Sequence, residues 1–318
     1  MTHKQRLSAL IALVLLALVP IVVTDSYTRH VFIVAFIYAT VAVNWDLSLG
    51  LAGLFNFGHL AFFGIGVYTA AILTTSLDLS PWLAILAGGI TAALAALLIA
   101  LPVAKLQGIY VVLVTFAFGQ LCLQIVLSQG DLTGGAEGLV RLPYLSIGDY
   151  KFIRDFKLAY YYVGLIILTL STIAMLLVAH SPFGKSLRAV RDNPDYAAAR
   201  GISVARQRVL VLVASAVCTG IAGGFYAIYL RVASPEVFGF SVATLVLSMV
   251  LIGGAGSILG PVFAALALTF ATEAMAGMRG LEEARFIVVA VAMILVLRIA
   301  PSGAIDIFGR LLTRPRKS

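Results

Sequence analysis

The stretch Ser181-Pro-Phe-Gly-Lys-Ser-Leu-Arg-Ala-Val-Arg-Asp-Asn-Pro-Asp-Tyr-Ala-Ala-Ala-Arg-Gly-Ile-Ser-Val-Ala-Arg-Gln-Arg208 decides the fold class, because it is a polar island in a chain that is otherwise almost continuously apolar. Within it Lys185, Arg188, Arg191, Arg200, Arg206 and Arg208 are set against only Asp192 and Asp195. One charge at a bilayer midplane costs about 2.5–3.5 kcal/mol, so these together would cost on the order of 20 kcal/mol in hydrocarbon. The island therefore lies in water, and its basic excess assigns it to the cytoplasmic side.

Around the island the chain has 318 residues, of which 61% are hydrophobic and 11% charged, with a mean hydropathy of +1.05. Soluble domains run at about 45–50% apolar and about 25% charged. The composition specifies an all-α, polytopic transmembrane helical bundle in contact with membrane lipid. The net charge of +8 is explained by cytoplasmic loops, and with no aromatic-basic strip it gives no reason to expect nucleic acid. Cys122 and Cys218 fall inside apolar runs without zinc spacing or a paired framework, and read as small hydrophobes. Lys4 and Arg6 before an apolar run resemble a signal peptide, but no small-residue cleavage pattern follows at Val23-Thr24-Asp25-Ser26. The run reads as an uncleaved first span.

Helical spans need about 20 apolar residues, with about 17 tolerated. Candidates fall near 7–23, 31–47, 59–77, 82–104, 108–128, 158–178, 209–230, 241–254, 260–277 and 285–300, about ten in all. An even count places both termini in the cytoplasm together with Lys105, the island and the basic tail Arg310, Arg314, Arg316 and Lys317. The segment from Gly130 to Lys157, where acids balance the bases, falls on the opposite side. No linker divides the chain, so 1–318 reads as one transmembrane domain with a docking segment at 181–208. Two glycine-interrupted stretches, Gly50 to Gly66 and Gly253 to Gly260, suggest broken or re-entrant segments near 50–58 and 253–261, a pattern of transport paths in repeat-built carriers.

Few constellations suit catalysis. Phe183-Gly184-Lys185-Ser186 mimics the tail of a phosphate-cradling loop, but the required earlier glycine is Ala179 and a span, not a strand, precedes it. The chain is thus not expected to be an enzyme or to bind ATP, a cofactor or a metal on its own. The glycines at 253–260 lack dinucleotide-binding spacing and fit a turn before Pro261. Gly220 and Gly224 fit helix packing. His59, beside Asn56 and Gly58 at the start of a span, fits either a substrate contact or a partner for freed backbone carbonyls. Asp46 beside Trp45 reads as interfacial, and Glu273 as a polar residue seeking a partner within a span. In the island, Asn193-Pro194 signals a turn, and Asp195 is placed to cap a short helix carrying Ala197, Ala198 and Ala199 to Gly201. A helix of about seven residues is too short to stand alone, so it implies a partner surface.

Ser181 to Gly201 resembles the cytoplasmic coupling segment of permeases in bacterial branched-chain amino acid ABC transporters, of the LivM type in the hydrophobic amino acid uptake family. Asp195 and Gly201 keep the spacing of the E-A-A-x-x-x-G signature, with Asp for Glu and Tyr196 for the first Ala. Gly58-His59-Leu-Ala-Phe-Phe-Gly-Ile-Gly66 is similar to the family's G-H-A-A-F-F-G-I-G block, Thr133 to Leu139 to its external T-G-G-x-x-G-L segment, and Gly253 to Pro261 to its G-G-x-G-S-x-x-G-P block. Permeases for urea and short amides share these blocks. The resemblance implies an importer in the bacterial inner membrane, with a related second permease, two cytoplasmic ATPases and a periplasmic solute-binding protein. It implies coupling through Ser181, Gly184, Arg188, Arg191, Asp192, Asp195, Ala197, Ala198 and Gly201, and a path lined or shaped by Asn56, Gly58, His59, Gly253 and Gly254. A proton- or sodium-driven carrier is the rival reading; it requires paired acids within spans, for which Glu273 is the candidate.

Overall fold

The computed structural model describes residues 13–276 apart from 22, 149 and 153–156, together with 290, 291, 293, 294 and 298. A helical stretch at 13–21 precedes helix α1, Ser26–Asp46, which Asp25 caps by accepting from the Thr28 N–H at 2.8 Å. α1 runs on into a π-helical turn, Leu47–Leu51. Next come α2 (His59–Ser76), α3 (Pro81–Val103), α4 (Ile109–Ser128) and a one-turn α5 (Gly130–Thr133). Three two-residue strands follow, β1 (Leu139–Val140), β2 (Ser146–Ile147) and β3 (Tyr150–Lys151). The long helix α6 (Leu158–His180) leads to the short helices α7 (Pro182–Asp192) and α8 (Pro194–Ala199) of the island. After them come α9 (Val204–Leu230), β4 (Val232–Ala233), a 3-10 turn (Pro235–Phe238), α10 (Phe240–Gly253) and α11 (Leu259–Ala276).

Among the described residues six helices are long and apolar enough to span a membrane, and α10 and α11 are shorter apolar helices. The protein is a multi-pass, all-α bundle. The expected spans 7–23 and 285–300 lie partly or largely outside the described residues. The second span is longer than its apolar run, reaching from Ser26 to Leu51 over 26 residues, because the π turn carries the helix past Asp46.

α1 is the central post. Its Phe36 packs edge-on to Tyr161 of α6, and its Asn44 donates to Ser171 of the same helix at 2.7 Å. Beside it α2, α3 and α9 meet along a glycine seam. A Cβ on Gly220 would overlap the Gly88 backbone, one on Gly66 the Gly220 backbone, and one on Gly223 the Phe63 carbonyl. In lipid, where apolar side chains have no preference for each other over acyl tails, such close backbone approach is what holds helices together. The Gly220–Gly224 pair thus does the packing work its spacing suggested.

The ends of the bundle differ. At one end Arg208 donates to the Leu106 and Ala104 carbonyls, which brings the Lys105 turn and the basic island together. At the other, β1 pairs antiparallel with β4 and β2 with β3, while Arg231 donates to the Leu142 carbonyl and the Tyr144 hydroxyl, each at 2.6 Å. Strands of two residues are too short to leave an alternating pattern in the sequence.

Candidate functional site

The island folds into a helical corner. Ser181 caps α7, its Oγ accepting from the Gly184 N–H at 3.2 Å and donating to the Val178 carbonyl at 2.6 Å. Gly184 is required there, since a Cβ would overlap the carbonyls of Val178 and Ala179 at the end of α6. Leu187 and Val190 are buried against the bundle, whereas Lys185, Arg191 and Asp192 are exposed and Arg188 is half-buried. The chain then turns at Asn193-Pro194. The cap of α8 is Asn193, not Asp195: Pro194 takes the first helical position and holds Asn193 extended, and the Asn193 Oδ1 accepts from the Tyr196 N–H at 2.9 Å. Asp195 instead sits exposed in the first turn, where its charge suits the helix dipole.

The alanine run divides. Ala197 is buried, while Ala198 and Ala199 are exposed together with Asp195, Tyr196 and Arg200. Gly201 ends the helix at φ +84°, a left-handed conformation that glycine adopts without strain. The corner therefore presents a small, partly basic outer surface and hangs from the bundle by Leu187, Val190 and Ala197.

Beneath the corner lies a polar node that the sequence concealed. Asp46 is fully buried, and its carboxylate accepts from the Gly256 N–H at 2.6 Å and the Ile258 N–H at 2.9 Å. A buried carboxylate needs such donors, and the open loop between α10 and α11 supplies them. Gly254 (φ +99°) and Gly256 (φ +88°) let that loop turn toward the carboxylate. Gly253 and Gly260 close it by backbone contact. A Cβ on Gly50 would overlap both Asp46 and Gly256, so the π turn and the loop touch. Arg191 completes the node. It pairs with Asp192 at 3.1 Å and donates to the Gly50 carbonyl at 2.7 Å, with its aliphatic stem over Gly53. One side chain of the corner is thus bonded to one helix break, which the Asp46 carboxylate ties to the other.

Asn56, Gly58 and His59 lie on the far side of the first break, where the chain is not helical between Gly53 and Gly58. Asn56 Oδ1 accepts from the Gly58 N–H at 2.8 Å, and the Phe57 N–H donates to Thr115 Oγ1 of α4 at 3.1 Å. His59 is completely enclosed. Its ring stacks on Trp45 at 5.4 Å, meets Phe62 edge-on, and its Nε2 is 2.9 Å from Thr219 Oγ1 of α9. Thr219, and the contact of Trp45 with His59, leave no sign in the sequence, because the three residues come from separate helices. Glu273 accepts from the Tyr27 hydroxyl at 3.4 Å near the other end of α1. Cys122 and Cys218 are free thiols, each partly buried.

Residues 27–297 match the family model described as branched-chain amino acid transport system / permease component. The chain belongs to this family. As a permease of this kind it is similar to LivM, a high-affinity branched-chain amino acid transport system permease protein of Escherichia coli, at 28% identity covering 99% of this chain and 77% of the relative. It is also similar to LivH, the permease protein of the same description in Salmonella typhimurium, at 26% identity over 84% of this chain and 90% of that one. A nucleoside ABC transporter permease protein of Lactococcus lactis, NupC, is 27% identical over 57% of this chain and 58% of its own length. No solved structure matches the permease. The match to the family model contains both helix breaks, the corner and the node at Asp46.

Proposed function

We propose that this chain is the transmembrane permease subunit of an ATP-binding-cassette importer that moves branched-chain amino acids into the cytoplasm. In this reading it sits in the bacterial inner membrane as one domain with both termini cytoplasmic. It pairs with a related second permease and is served by two ATPases and a periplasmic solute-binding protein. The substrate class follows from LivM and LivH, whose names state it. The few charges within the spans agree with it, since a zwitterionic apolar solute needs no fixed counter-charge.

The observation that carries the reading is the bond from Arg191 to the Gly50 carbonyl. An ATPase surface bearing on Asp195, Tyr196, Ala198 and Arg200 moves α7 and α8 as one corner, since Asn193 and Pro194 hold them together. Arg191 transmits that movement to the break at 47–58, and Asp46 passes it to the loop at 254–258. His59, held by Trp45 and Thr219, fixes where α2 resumes after the break. ATP binding that draws this corner toward its counterpart on the second permease then shifts both breaks, and hydrolysis releases them.

The test is ATP-dependent uptake of labelled leucine, isoleucine, valine and urea by vesicles carrying the whole reconstituted system, with Gly201→Pro as the variant. Proline cannot adopt the φ of +84° found at Gly201, so α8 must end differently. The expected result is amino acid uptake that is lost in the variant while the permease pair still assembles. Unchanged uptake contradicts the coupling role, and uptake of urea alone moves the chain to the urea and short-amide permeases.

A further inference from the structure

α4 is an apolar helix with only 17% of an 18-residue stretch of it buried, yet it carries two exposed amides, Gln120 and Gln124, one turn apart. An amide facing acyl chains has no hydrogen-bond partner there, so exposed polar side chains at membrane depth belong to a water-filled surface or a protein contact. The depth is central. Gln120 lies eleven positions past Ile109, about 16 Å along the helix axis, which is about half of a ~30 Å hydrocarbon core. On a helical projection Leu113, Phe116, Gln120 and Gln124 share one strip, while Leu121 and Ile125 turn to the other edge of the exposed half.

Beside Gln120 opens a small cavity. Its lining includes Phe57 of the first break, Phe116 and Gly119 of α4, Phe238 of the 3-10 turn and Phe240 at the start of α10. Phe116 meets Phe240 edge-on at 6.4 Å, no charged side chain contributes to the lining, and a Cβ at Gly119 would meet nothing. The volume within this chain is ≈ 20 Å³, room for a water molecule and not for an amino acid. A larger solute fits only when a facing surface closes over the strip.

Resting on the import reading above, we infer that the Gln120–Gln124 strip lines the solute path at mid-membrane, and that the aromatic cavity beside it is this chain's half of a binding site for an apolar amino acid zwitterion. The solute's side chain enters among Phe57, Phe116 and Phe240. Its ammonium and carboxylate meet the two amides, which offer both donors and acceptors and no fixed charge. The cavity also joins the path to the node: Phe57, part of its wall, is bonded to Thr115 and belongs to the break that Arg191 holds.

The experiment uses the full reconstituted transporter, with Cys122 and Cys218 replaced by alanine and single cysteines placed by Gln120→Cys, Gln124→Cys, Leu121→Cys and Ile125→Cys. Each is treated with a membrane-impermeant thiol reagent with and without leucine. The expected result is reaction at 120 and 124, protection by leucine, and none at 121 and 125. Gln120→Leu then lowers leucine uptake about tenfold or more, as for loss of a hydrogen bond to a charged group, with the complex intact and ATP hydrolysis retained. No reaction at 120 and 124, or a Gln120→Leu complex that falls apart, overturns the inference and makes the amides a contact between subunits. If 120 and 124 react but the unsubstituted transporter takes up no leucine, the water-facing strip stands and the amino acid assignment of the import reading falls.

Discussion

Helices α1 and α4 have nearly the same apolar character and opposite situations. Their mean hydropathies are 1.7 and 2.1, but 89% of the first window is buried inside the protein and 17% of the second. The more apolar helix is the more exposed one within this chain, so apolar character does not follow enclosure here. What separates the two is where their few polar groups go. α1 spends Asn44 and Asp46 on internal bonds to Ser171 and to the loop after α10. α4 directs Thr115 inward to the first break and leaves Gln120 and Gln124 outward. In the proposed coupling α1 is therefore the structural post that receives the pull of the corner, and α4 a wall beside the first break.

That contrast orders the expected effects of mutation. The largest belongs to the seam behind α1. Gly220→Leu drives a side chain into the Gly88 backbone, and overpacking of this kind costs about 1–3 kcal/mol or more. It is expected to abolish the monodisperse peak on size exclusion in detergent. Next is Asp46→Ala, which leaves two loop N–H groups without their acceptor at about 1–3 kcal/mol each, partly offset because a carboxylate no longer has to be buried; a lowered melting temperature and loss of uptake are expected. Asp46→Asn, which keeps one acceptor oxygen, falls between.

Arg191→Ala is expected to separate stability from function. Its side chain is 40% exposed, and exposed substitutions change stability by about 0.5 kcal/mol or less, so the melt stays put while transport drops. Smallest in stability is Gln120→Leu on α4, where an exposed amide is replaced by an alkyl group. Its melting temperature is expected to hold or rise, with the effect confined to uptake. Were Gln120→Leu to destabilise the protein as much as Asp46→Ala, the division between post and wall would be wrong.

The bundle, the island and both helix breaks were legible because each rests on local sequence: a long apolar run, a cluster of charges too costly for lipid, or glycines gathered in an apolar stretch, with Pro261 after the second set. The node was not. Asp46 next to Trp45 has the local pattern of a membrane-interface residue, and the donors that permit its burial, Gly256 and Ile258, come from more than 200 positions away. The same holds for His59, whose partner Thr219 is 160 residues distant. Asn193, not Asp195, caps α8, because Pro194 takes the first helical position and leaves Asn193 in the extended conformation of a cap. The alanine run suggested one face, yet a helix of 6 residues has room to bury only Ala197. Hydropathy, finally, gives no sign of which span is enclosed and which faces lipid, since both environments select the same residues.

The most direct measurement is the number of leucine molecules imported per ATP hydrolysed by proteoliposomes carrying the complete transporter with Arg191→Ala. Arg191→Ala removes the bond by which the corner reaches the Gly50 carbonyl, so that ratio is expected to fall while hydrolysis continues. An unchanged ratio would contradict the transmission of force from the corner through Gly50 to the helix breaks.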